Sequence, residues 1–152
     1  MSPDEFRGAI EAIQRKLLSR GFDVRPLIIE PPASHDDLEA LESRLNIALP
    51  PTFKKLLCDF SRHVEFRWFA PDGIDFPKPF QSNFCGDLHW SVDFTEQFDA
   101  DKNSWIENVF PNANDPYDAV WHNKLAFYEV GNGDYLAVDL SPDHYEEIVY
   151  LP

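Results

Sequence analysis

The 152-residue chain has only two cysteines, Cys58 and Cys85, and no apolar run approaching the ~18 residues that a membrane span requires. The cysteines have no metal-ligand spacing, and so sparse a pair makes no disulfide framework. Both are therefore expected as reduced thiols in a cytoplasmic protein. The opening residues MSPDEFRGAI lack a basic segment leading into an apolar one, which argues against export. Basic residues are also scarce: 13 Lys plus Arg stand against 27 Asp plus Glu, a net charge of −14. From residue 77 onward there are 14 acidic residues and only Lys78, Lys102 and Lys124, so this half carries −11 and the first half −3. A field of that sign repels nucleic acid and anionic membrane and attracts basic proteins, although it also serves plain solubility.

What the sequence does have is material for a core. Hydrophobic residues make up 43% and aromatics 14%, enough for one packed domain over residues 1–152. Ser2-Pro3-Asp4-Glu5 is a capping box with proline at the first helical position, followed by Phe6, Ala9, Ile10, Ile13 and Leu17 at helical spacing, with Gly21 as the stop. DVRPLIIEPP is a short apolar run interrupted by Pro26, which predicts an edge strand or extended arm. Ser34 caps a second helix faced by Leu38, Leu41 and Leu45. LPPTFKKLLCDF predicts a third, with Phe53, Leu56, Leu57 and Phe60 facing inward.

Beyond Phe60 the period changes. VEFRWFA alternates Val64, Phe66 and Trp68 against Glu65, Arg67 and Phe69, a strand with one wetter face, and residues 71–83 are rich in Pro, Gly and Asp and predict a loop. LHWSVDF reads as a strand, ADKNSWIENVF as a short helix, LAFYEV and DYLAVDL as a strand pair, and EEIVYL as a last strand. The expected class is α+β: a mainly antiparallel sheet packed against N-terminal helices, in one layer of each.

The segment EVGNGDYLAVDL, residues 129–140, bears on function. A dinucleotide loop needs a helix after its glycines, but YLAVDL is a strand sequence and Leu136 stands where the third glycine belongs. The alternating acids and closing Glu of a calcium loop are missing too. Asn-Gly between two apolar runs is a hairpin signal, so GNGD predicts a turn and no cofactor.

Two blocks together resemble the SUKH superfamily, in the branch of the yeast cell-wall assembly regulator and many bacterial immunity proteins. The first, residues 31–61, is PPASHDDLEALESRLNIALPPTFKKLLCDFS: a proline before a capped helix, a glutamate within it (Glu42), then Leu-Pro-Pro and a helix ending in an aromatic. The second, LAFYEVGNGDYLAVDL, is similar to the family's Gly-Asn-Gly-Asp hairpin, followed by the IVYL strand. Ser61-Arg62-His63 replaces a glycine-containing turn common in the family. The sequence also stops at Leu151-Pro152, where members usually run on into a C-terminal helix, so a less covered sheet end is expected. The resemblance implies a SUKH-like domain without catalysis: a cytosolic immunity protein that binds and neutralises a polymorphic toxin, very often a nuclease. The alternative is an intracellular scaffold or regulator of the same fold without a toxin partner.

No zinc pattern joins the five histidines, and no nucleophile elbow or P-loop occurs. Asp87, His89, Ser91 and Asp93 would share one face of a strand, the nearest thing to an acid-base or metal site. A Cys58 nucleophile with His63 or His122 is the other enzymatic option. Most of the four tryptophans are expected in the core. Trp121 is the interface candidate, because the neighbouring loop places Asp115 and Asp118 around Tyr117. A nuclease must present Lys and Arg to phosphates, so an inhibitor carrying carboxylates competes for them. Asp93, Glu96, Asp99, Asp101, Asp115, Tyr117, Asp118, Trp121, Glu129 and Asp134 are the candidate partner-binding residues, a subset of the acids being expected to form one contiguous patch for a basic toxin domain.

Overall fold

A computed structural model of the chain describes residues 2–78, 84–130 and 132–152. Residues 79–83 of the expected loop and Gly131 of the hairpin lie outside the described residues. Among the described residues there are four α-helices and seven strands, in the order α1 (Pro3–Ser19), β1 (Asp23–Val24), β2 (Ile28–Ile29), α2 (His35–Leu45), α3 (Pro51–Asp59), β3 (His63–Phe69), β4 (Cys85–Ser91), α4 (Val92–Asn108), β5 (Lys124–Glu129), β6 (Tyr135–Asp139) and β7 (Ile148–Leu151). All strand pairs are antiparallel, and the α+β class holds.

The first two helices start as the sequence dictates. Ser2 with Glu5, and Ser34 with Asp37, form complete capping boxes. On α1 only Ile10 is fully buried and Ile13 is 45% exposed, so this helix lies at the margin, its Phe6 edge-on to Phe60 at 5.0 Å. Helix α3 begins at Pro50-Pro51, which leaves its first turn without a side-chain cap of its own. Glu146, 94 residues further on, supplies one: its carboxylate accepts the Thr52 N–H at 2.6 Å. Glu42 ties α2 to the same region, accepting from the Leu49 N–H and from Lys54 Nζ, both at 2.6 Å. The hydrogen bond from Lys54 holds the Glu42 carboxyl below its ordinary pKa.

The strands form two sheets rather than the single one expected. β1 and β2 pair with the same side of β3, as one edge strand broken at Pro26, and β4 pairs with the other side. Ser61 is wholly buried, its Oγ within 2.7 Å of the Glu30 carbonyl and 2.8 Å of the His63 carbonyl. The second sheet runs β5-β6-β7. Side chains rather than backbone link the sheets: the Tyr128 hydroxyl donates to the Asp87 carbonyl, and its ring stacks on His89 at 4.3 Å. Two apolar clusters result. Leu38, Leu41, Phe53, Leu57, Val64, Trp90, Leu125 and Val138 meet on one side, while Phe98, Phe110, Trp121, Ala126, Ala137 and Leu151 meet on the other. The cross-strand pairs Leu125–Val138 and Ala126–Ala137 divide between the clusters, so β5 and β6 are buried on both faces.

The largest departure from expectation concerns residues 88–108. The strand begins at Cys85 and ends at Ser91, and Val92, Asp93 and Phe94 are helical. Ser91 stays extended and accepts the Asp93 N–H at 3.1 Å, which makes it the N-cap of a 17-residue helix. The buried face of α4 includes Thr95, Phe98, Asp99 and Lys102, a helical spacing that polar members conceal from a hydrophobic count. No helix among the described residues is long and apolar enough to cross a membrane.

Candidate partner-binding face

The described residues of the GNGD segment, Asn132 to Asp134, have turn geometry. The Val130 N–H bonds to the Asp134 carbonyl at 2.9 Å, and Gly133 takes a φ of 94°, a conformation glycine adopts without a Cβ penalty. Asn132 closes the tip by accepting the Asp134 N–H at 3.2 Å and donating to Asp134 Oδ2 at 2.6 Å. The Tyr150 hydroxyl, from β7, donates to the same Oδ2. That bond to Asp134 raises the tyrosine pKa.

Beside this turn stands an aromatic stack from the end of α4 and the loop after it. Phe110 lies flat on Trp121, with centroids 4.7 Å apart, Trp105 lies 6.2 Å from Trp121, and Tyr117 covers Phe110 at 5.8 Å. Trp105, Phe110, Trp121, Asn132, Gly133, Asp134 and Pro152 line a cleft of about 120 Å³. Ligand pockets for cofactors and small molecules run from about 300 to 1,000 Å³, so this cleft has room for little more than the end of one side chain. Two aromatics project outward here, Tyr117 at 65% exposure and Trp105 at 42%.

Three of the predicted acids, Asp115, Asp118 and Asp134, lie at this loop and cleft. Asp115 and Asp118 shape the loop that carries Tyr117: Asp115 Oδ1 accepts the Tyr117 N–H at 2.8 Å, and Asp118 Oδ2 accepts the Asn112 N–H at 3.0 Å. Burial raises the pKa of the Tyr135 hydroxyl, and the charges of Asp101 and Glu129 raise it further, which puts both acids near that side chain. Asp134 lines the cleft itself.

Four of the expected contact residues are placed otherwise. Trp121 is 2% exposed, so it is the inner wall of the cleft and not a projecting anchor. Asp99 is buried with Lys102, at 2.6 Å, because this pair faces the start of β5, where Lys102 Nζ also donates to the Lys124 carbonyl. Glu96 is bound by Arg44 of α2 at 2.6 Å, and Asp93 sits in the first turn of α4. These acids occupy the opposite end of a helix roughly 25 Å long from Trp105. Trp105 itself was missed by the sequence reading; it stood out only as one of four tryptophans.

Both later-half lysines with buried side chains are internal. Lys124 pairs with Asp139 at 3.0 Å, and Asp139 also accepts from the Ser141 N–H and Oγ. Burial opposes the charge on Asp139, but these hydrogen bonds and Lys124 outweigh it and hold its pKa below the ordinary value.

The enzymatic alternatives find no open geometry. His89 Nδ1 lies 3.0 Å from Asp87 Oδ1, but Nε2 is buried without a partner and reaches no solvent. Asp93 is on α4, off that strand face. His63 is engaged by Glu30 and Glu65, His122 Nε2 is bonded to the Phe110 carbonyl, and Cys58 is a free thiol. Among the described residues no group of three or more His, Cys, Asp or Glu could hold a metal ion.

The model of the SMI1 / KNR4 family (SUKH-1) matches residues 32–151, from the proline before α2 to the end of β7. The chain belongs to this family. The match takes in both sheets' long strands, α2 to α4 and the whole aromatic face, while α1 lies outside it. Comparison with curated proteins and with solved structures gives no match. The SUKH domain is generally a non-catalytic interaction domain.

Proposed function

We propose that this SUKH-1 domain is a non-enzymatic interaction module, an immunity protein that binds and neutralises a basic toxin domain, a nuclease by expectation, in the cytoplasm. The observation that carries the reading is the acidic surround of the exposed aromatics. Tyr117, on the loop that Asp115 and Asp118 shape, and Trp105, on the cleft that Asp134 lines, project outward, while Lys102 and Lys124 are held inside. Exposed aromatics framed by charge are the usual composition of binding hot spots. Carboxylates placed opposite phosphate-binding Lys and Arg compete for them, and their summed field speeds encounter. A standard interface takes ~800 Å² per partner, an area such a face can supply together with the surrounding loops.

The test is a pull-down of tagged protein from its own cell lysate, washed at low and then high salt, in parallel with Tyr117→Ala and Asp101→Asn. The expected result is one basic toxin domain, retained at low salt, weakened at high salt and lost from the Tyr117→Ala bait. Housekeeping partners unaffected by these changes would overturn the immunity reading in favour of a scaffold or regulator.

A further inference from the structure

We propose that the cleft beneath Trp105 is a receptor for a single arginine side chain of the partner. This rests on the reading of the acidic face as the partner-binding one and adds what the central contact is. The cleft's volume of about 120 Å³ excludes a cofactor but accepts the tip of a long side chain. Its wall is aromatic, formed by Trp105, Phe110 and Trp121, and its lip is the hairpin tip Asn132-Gly133-Asp134.

The carboxylate of Asp134 is oriented before any partner arrives. Tyr150 and Asn132 both donate to Oδ2, and among the described residues no donor reaches Oδ1. The cleft thus combines aromatic walls with a carboxylate held through Oδ2. Gly133, with its φ of 94° and nothing within 4 Å of where a Cβ would stand, adds no side chain to the lip.

That pairing selects a particular chemistry. A guanidinium is planar and weakly hydrated, stacks on aromatic faces and donates to a carboxylate from a rigid fork. Lysine brings a strongly hydrated point charge that loses more on entering an aromatic cleft. A neutral apolar side chain would leave the carboxylate without a partner, and an anion would meet the like charge of Asp134.

The experiment uses the full chain, ¹⁵N-labelled, titrated with N-acetyl-arginine methylamide, its neutral isostere N-acetyl-citrulline methylamide, and N-acetyl-lysine methylamide. The arginine amide is expected to shift the Trp105 indole and the Gly133 and Asp134 amides, with affinity in the millimolar range suited to so small a probe. Citrulline should bind about tenfold more weakly, since only the ionised fork makes a charge-assisted bond, and Asp134→Asn should weaken arginine by a similar factor. Trp105→Ala, at an exposed position, should do the same without disturbing the core. Equal responses to arginine and citrulline, shifts spread across the acidic surface, or full arginine affinity in Asp134→Asn would each overturn the proposal. A toxin captured equally well by wild type and Asp134→Asn would sink the arginine receptor and leave the module reading intact. Arginine seated in the cleft of a protein that captures no basic partner would sink the module reading instead.

Discussion

Replacing Gly86 by alanine should expel Trp68 from its place over β4. The two residues are cross-strand partners, Trp68 on β3 opposite Gly86 on β4. A Cβ at Gly86 would stand 2.2 Å from Trp68 Nε1, 2.3 Å from Cε2 and 2.6 Å from Cζ2. Carbon contacts are optimal near 3.5–4.0 Å, so the rigid indole must move by more than ~1 Å. It cannot slide freely, because Phe22 packs edge-on to it at 5.4 Å. Overpacking of this kind costs about 1–3 kcal/mol, against which alanine regains roughly 0.5–1 kcal/mol of strand propensity and chain entropy. The net loss is about 0–2.5 kcal/mol, or up to roughly 10 °C in Tm for a domain of this size. Urea denaturation of wild type, Gly86→Ala, Trp68→Ala and the double variant forms a cycle. With the indole gone, the added methyl should cost nothing, so the cycle must be non-additive by at least about 1 kcal/mol. An additive cycle would refute the reasoning.

Glu146→Ala should destabilise by about 1–2 kcal/mol, because it strips the one side-chain cap found among the described residues from the N-terminus of α3. Glu146→Gly should lose less than Glu146→Ala, since residue 146 sits at φ 69°; the reverse order in urea midpoints would contradict this account. The third prediction concerns acid. Folding lowers the pKa of Glu42 from 4.5, chiefly through the Lys54 hydrogen bond, so its stabilisation is present above that value and lost as pH falls through the lower folded one. The stability gap between wild type and Glu42→Gln should therefore be full at pH 7 and close progressively below about pH 4.5. A gap that stays constant or widens on acidification would rule the mechanism out. The difference is the quantity to follow, because the fall in self-repulsion from a net charge of −14 acts on both proteins alike.

The helix starts at Ser2 and Ser34, the edge strand broken at Pro26 and the GNGD hairpin were all legible, because each depends on local chemistry within three or four residues. The strand-to-helix junction at Ser91 was not. Val92, Phe94 and Thr95 have strand propensity, and their helical register shows only when Thr95, Asp99 and Lys102 are counted as interior, which requires the buried Asp99–Lys102 pair to be known. Glu146 as the cap of α3 was equally hidden, being a contact between residues 94 apart. At the binding face, Tyr117 with Asp115 and Asp118 could be read from one loop. That Trp121 turns inward while Trp105 turns out depends on how α4 docks on β5, and no spacing in the sequence carries it.

The two internal ion pairs have a consequence for the surface as well as for the core. Asp99–Lys102 and Lys124–Asp139 fasten α4, the start of β5 and the turn after β6 to one another. Buried pairs of this kind are weak evidence for stability, because desolvation offsets much of their attraction. They do fix where the cations are. With both lysines inside, the later half presents twelve acids against Lys78 alone, so its outward charge remains −11 although two pairs have been removed. Exposed charges within a Debye length of about 8 Å at physiological salt add their fields before screening divides them. The acids beside Tyr117 and the Asp134 cleft all bear the sign that attracts a cation. A lysine kept on that surface would cancel part of the field at the cleft proposed to receive a positive group. The same burial that docks α4 onto β5 therefore keeps the face of one sign, and this links the packing of the second core to the recognition proposed for its rim.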